Sequence, residues 1–174
     1  MKPRFSALVT RLRWTEDRRP RTGKHVDTGF RQMTFKFEKL DVWQDSLDYL
    51  ELIYQIASNL PDAERYNLRS QITRTATSVN LNIAEGSTGQ TDAEQVRFLG
   101  MALRSLLETV ACLHIIHRMD LVTDRTELRQ AYRAAEVLTR RLVAMRRSLA
   151  PEGSWLKEPN ATYQTQSDLA TPFD

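Results

Sequence analysis

Apolar residues recur at alternating steps of three and four along residues 40–149, in four segments parted by short polar breaks, which is the signature of helices with one buried side. From Leu40 to Leu60, Trp43, Leu47, Leu50, Tyr54 and Ala57 form one stripe, and Val42, Tyr49, Ile53, Ile56 and Leu60 form a second beside it. Together they cover about half the circumference, against the roughly 100° that a single core requires. This first helix is therefore expected to touch more than its own bundle. Pro61 stops it, because proline has neither the amide nor the room to continue a helix.

A second helix is predicted over Asp62 to Glu85, with Asp62 and Glu64 near its positive end and Gly86 as a C-terminal cap. It has two faces: Leu68, Ile72, Ala76, Val79 and Ile83 on one side, and Gln71, Arg74, Ser78, Asn82 and Glu85 roughly 120° away. The polar row holds amides and hydroxyls where a solvated face would carry Lys and Glu, so it is expected to make a hydrogen-bonded contact. Arg74 and Glu85 stand 11 residues apart, about 16 Å along one helix. They cannot pair with each other, and Arg97, Arg104 and Glu108 on the next helix or a neighbouring subunit are the candidate partners.

After a short loop at Ser87 to Gln90, Thr91-Asp92-Ala93-Glu94 reads as a capping box. The third helix then carries a heptad seam of Val96, Leu99, Leu103, Leu106, Val110, Leu113 and His117, flanked by Phe98, Ala102, Ser105, Cys112 and Ile116. With Thr123 or Asp124 as cap, a fourth helix repeats the seam at Leu128, Ala131, Ala135, Leu138, Leu142, Met145 and Leu149. Four seams with short connections predict an all-α, antiparallel up-down-up-down four-helix bundle over residues 35–150. Residues 1–34 read as a disordered basic arm, or as an extension upstream of a true start at Met33. Residues 151–174 read as a disordered tail.

Charge changes this picture only locally. Nine Lys/Arg against three Asp/Glu lie in residues 1–32, 15 against 15 in residues 33–150, and one against four in residues 151–174. The bundle is neutral, so a nucleic-acid footprint has to come from a cluster rather than from the overall charge of +3. The fourth helix provides one: Arg125, Arg129, Arg133, Arg140, Arg141, Arg146 and Arg147 face only Asp124, Glu127 and Glu136. Of these, Arg129, Arg133, Arg140, Arg141 and Arg147 are the candidate phosphate contacts. Only Tyr132 offers a ring for base stacking there.

Catalytic chemistry is not legible. No Glu is followed three residues later by His, as a di-iron bundle needs. His114 and His117 have no carboxylate a turn away within the third helix, and Cys112 has no neighbouring base. No cofactor and no metal are expected, and the chain is not read as an enzyme. The single cysteine suits the cytoplasm, and no membrane partner is indicated by an apolar run or a secretory signal.

The run Gln71, Arg74, Ser78, Asn82-Ile83-Ala84-Glu85-Gly86, followed by Arg97-Phe98-Leu99, Ala102, Ser105-Leu106 and Glu108, resembles the signature of the four-helix-bundle proteins named for the 23S rRNA intervening sequence. Phe37-Glu38-Lys39-Leu40-Asp41-Val42-Trp43 resembles the family's usual opening. The resemblance implies a ring of identical bundles, a homopentamer. It also implies kinship with the accessory variability protein of diversity-generating retroelements, a basic barrel that binds nucleic acid and a reverse transcriptase. The neutral bundle departs from that relative. The expectation is a non-enzymatic homo-oligomeric scaffold with RNA or DNA as a candidate partner; the alternative is a module acting through a protein such as a reverse transcriptase, without nucleic-acid contact. Val42, Tyr49, Ile53, Ile56 and Phe98 are the expected subunit contacts.

Overall fold

The computed structural model describes residues 35–89, 91–150 and 171–173; the expected basic arm and most of the expected tail lie outside the described residues. Four helices form the body: α1 (Asp41–Asn59), α2 (Leu68–Thr88), α3 (Asp92–Arg118) and α4 (Thr126–Leu149). Each packs on its neighbours in sequence, and α1 closes the bundle against α4. Contacts across each pair run in opposite senses: Ser46 meets Asn80 while the Leu60 carbonyl meets Arg69, Ser78 meets Ser105 while Thr75 meets Thr109, Gly100 lies by Arg146 while His114 lies by Tyr132, and Asp45 meets Arg141 while Asn59 meets Glu127. Neighbouring helices are therefore antiparallel, and Ile53, Ile72, Leu99, Leu106, Leu113 and Leu128 fill the space between them, each 0 or 1% exposed.

Two expected boundaries of α2 are corrected. Asp62 and Glu64 belong to a separate 3-10 turn, Asp62–Glu64, and the helix starts at Leu68. Glu64 still serves it, because its carboxylate accepts from Asn67 Nδ2 at 3.0 Å and from the Leu68 amide at 3.4 Å, where the helix leaves free N–H groups. At the other end Gly86 does not cap: α2 continues through Ser87 and Thr88, and Gly89 is the cap. Gly86 is inside the helix for packing reasons, since a Cβ there would lie 2.8 Å from Phe98 Cβ.

The start of α3 follows the sequence, with Thr91 Oγ1 accepting from the Glu94 amide at 3.2 Å. Its end was not legible. Asp120 takes φ 50°, and the amides of Leu121 and Asp120 bond back to Ile116 and His117 carbonyls at 3.1 Å each, the paired pattern of a Schellman stop. Arg125 anchors the Asp120 carboxylate at 3.1 Å. Asp124 then accepts from the Thr126 amide at 2.8 Å, which holds its carboxyl below the ordinary range, with Arg129 adding to the effect.

Helix α3 is long and apolar enough to cross a membrane, the one such helix among the described residues. Its Leu99, Leu106 and Leu113 side is buried between α2 and α4, the position of a core helix.

Candidate contact surfaces on the α2–α3 and α4 faces

The polar row of α2 meets α3 of the same chain. Ser78 and Ser105 hydroxyls are 2.9 Å apart, and Asn82 Nδ2 donates to the Ser78 carbonyl at 2.7 Å and to Ser78 Oγ at 3.1 Å. Deeper in the seam, Thr109 Oγ1 lies 3.0 Å from Thr75 Oγ1. Such hydroxyl pairs satisfy each other and leave no buried polar atom stranded. Arg74 reaches α3 in two steps: its guanidinium donates to Gln71 Oε1 at 2.6 Å, and Gln71 Nε2 donates to Glu108. Arg97 lies over the ring of Phe98 at 5.0 Å. Glu85 and Arg104 are exposed and have no side-chain partner among the described residues.

The residues expected at a subunit contact are corrected as a group. Val42, Tyr49, Ile53, Ile56 and Phe98 are all buried within this chain's own bundle, while the other stripe of α1, from Trp43 to Tyr54, is partly or fully exposed. With two apolar stripes of similar strength, the pattern could not say which turns inward. The inward stripe brings a buried polar pair together: Ser46 Oγ donates to Asn80 Oδ1 at 2.9 Å and Asn80 Nδ2 donates to the Ser46 carbonyl at 2.9 Å. The inward orientation satisfies both groups across the α1–α2 contact, although it leaves the Tyr49 hydroxyl buried without a hydrogen-bond partner among the described residues. The 3-10 turn Lys36–Lys39 partly covers Trp43, with the Phe37 ring 4.8 Å away.

The apolar groups left facing outward are others. On α2, Leu81 stands between Arg74 and Glu85 in one row, and on α3, Ile115 shares a row with Arg104 and Ala111. Leu81 is 62%, Ile115 48% and Leu107 45% exposed.

On α4 the expected phosphate contacts divide. Arg141 is paired with Asp45 of α1 and so is partly neutralised. Arg129 is half-buried. Arg133, Arg140 and Arg147 are exposed, and their spacing of seven keeps them on one side, opposite buried Leu138 and Leu142.

Among the described residues no group of three His, Cys, Asp or Glu could hold a metal ion. His114 and His117 instead turn toward the ring of Phe173, 5.2 and 5.1 Å between centroids. That contact corrects the expectation of a tail unfolded throughout. Cys112 is buried, and burial, with the charge of Glu108 second, pushes its thiol up and away from a nucleophile's range.

An antiparallel bundle of four helices with a hydrogen-bonded α2–α3 seam defines a helical-bundle protein. The family described as 23S rRNA-intervening sequence protein matches residues 38–144, and the chain belongs to that family. A crystal structure of a protein of unknown function from the S23 ribosomal protein family of Bacteroides thetaiotaomicron has the same fold: it is 24% identical, the match covers 60% of this chain and 96% of that one, and the TM-score is 0.55. No curated protein matches the chain.

Proposed function

We propose that this protein is a non-enzymatic scaffold built from identical copies joined through the outward face of α2 and α3. The observation that carries the reading is the exposure of Leu81, Leu107 and Ile115 beside Glu85 and Arg104, which lack partners among the described residues. A second copy is the occupant that fits, because the face offers apolar side chains and both signs of charge and so complements itself. Joined to the same patch of its partner the face gives a two-fold pair; joined to a different patch the contact is head-to-tail and gives a ring where its rotation closes, and the family resemblance favours a ring of five copies. Light scattering at micromolar concentration tests it. The unaltered chain should be an oligomer, and Leu81→Asp with Ile115→Asp should give a helical monomer. A monomeric unaltered protein would refute the reading.

Exposed Arg133, Arg140 and Arg147 support an RNA or DNA contact along α4, at intervals of about 10 Å. Replacing all three by Ala should lower retention on nucleic acid at low salt and flatten its salt dependence. Unchanged retention would favour the second reading, a module acting through a protein partner. The balanced charge of residues 33–150 and the neutralised Arg141 are what support that reading. Either role suits a cytoplasmic protein with one buried thiol.

A further inference from the structure

Phe173 lies 24 residues beyond the end of α4, yet its ring is fully buried. It enters a notch between α3 and α4, with His114, His117 and Tyr132 at 5.2, 5.1 and 5.4 Å between centroids. The rings meet edge-on or tilted, the arrangement that aromatic quadrupoles favour. The walls of the notch belong to the bundle that the family match covers, whereas that match stops at residue 144. Site and ligand thus come from different parts of the chain.

The polar groups at this contact are poorly served. Among the described residues the buried Thr171 Oγ1 has no hydrogen-bond partner, and neither has the buried His117 Nδ1. Release would open both to water. One ring carries the attachment. Pro172 fixes its own φ, so less freedom is lost when the segment docks.

We propose that the α3–α4 notch is a peptide-binding site for an aromatic side chain presented after proline, and that Thr171-Pro172-Phe173 is its tethered, reversibly bound ligand. The tether permits this. Tyr132 lies 17 residues back along α4 from Leu149, about 26 Å, whereas the 21 residue steps from Ala150 to Thr171 reach roughly 70 Å when extended. The covalent link makes docking an intramolecular event. Binding that is weak between separate molecules is therefore sufficient to keep the notch filled, and release uncovers His117 and Tyr132 beside the already exposed His114 as an aromatic docking surface.

The test uses the full chain carrying Phe173→Ala and a fluorescent peptide of residues 168–174, followed by anisotropy. The variant should bind the peptide at least about tenfold more tightly than the unaltered chain, in which the tethered copy competes. The same peptide with Ala in place of Phe should not bind, and adding Tyr132→Ala to the variant should weaken binding at least about tenfold. A variant that keeps its helical circular dichroism but takes up no peptide, or binds both peptides equally, overturns the proposal. Should Phe173→Ala fail to fold, amide exchange in the unaltered chain decides. The Thr171 and Phe173 amides should exchange at least about a hundredfold faster than those of Ile72 and Leu106, since a latch opens without global unfolding. Equal protection would make the segment a fixed part of the core and overturn the proposal.

Discussion

Gly86→Ala and Gly100→Ala are the same substitution inside two helices, and the structure gives them opposite signs. Alanine in place of an interior helical glycine gains about 1 kcal/mol of helix propensity. At Gly86 the new Cβ would lie 2.8 Å from Phe98 Cβ, where carbon atoms settle at about 3.5–4.0 Å. The obstructing atom is bonded directly to the α3 backbone, so no rotamer change moves it, and α2 and α3 must part by several tenths of an ångström. Overpacking of this kind costs about 1–3 kcal/mol. The balance is a loss of about 0–2 kcal/mol, centred near 1, or a fall of about 2–6 °C in Tm for a domain of this size. At Gly100 the added Cβ would meet only the guanidinium of Arg146, at 3.4–3.6 Å, an ordinary contact with a flexible group. There the propensity gain should survive, at about 0.5–1 kcal/mol. Thermal and urea unfolding followed by circular dichroism measure both. Phe98→Ala keeps the offending Cβ and should not rescue Gly86→Ala. A Gly86→Ala protein as stable as Gly100→Ala would refute the close approach of α2 and α3.

Asn80→Asp should destabilise by about 3–5 kcal/mol near neutral pH, because a buried carboxylate would face the Ser46 carbonyl that Asn80 Nδ2 now donates to. Its folded pKa would stand above the unfolded value of about 3.9, so the loss should shrink as pH falls through the raised value; a pH-independent loss in urea titrations would contradict this. Tyr49→Phe removes a hydroxyl that is buried without a hydrogen-bond partner among the described residues and whose ionisation burial, with Cys112 second, opposes strongly. Its Tm should be unchanged or higher, and a loss above about 1 kcal/mol would reveal a partner the structure lacks. Cys112 should resist alkylation near pH 8 until the chain unfolds; equal rates with and without urea would show the thiol to be accessible.

The amino-acid pattern alone determined that this chain makes four helices, where most of their ends fall, and which family they resemble. Those features depend on spacing, proline and local caps: Pro61 ends α1, Thr91 starts α3, and the α4 seam from Leu128 to Leu142 is the buried one. The positions of Ser78, Asn82 and Gln71 as a hydrogen-bonding row were also legible, since amides and hydroxyls at helical spacing have few other uses. Which way α1 turns was decided only by the tertiary structure. The two stripes of α1 differ little in apolar content, and the one turned inward is accompanied by a long-range polar pair, Ser46 with Asn80. Gly86 looked like a cap because its sequence neighbours allow one; the contact with Phe98 that keeps it helical comes from another helix. The same holds for Phe173, whose sequence surroundings give no sign of order and whose burial depends on side chains of α3 and α4. Spacing along a chain specifies a face, whereas the partner of that face is set by the balance of buried polar groups and close packing across the whole bundle.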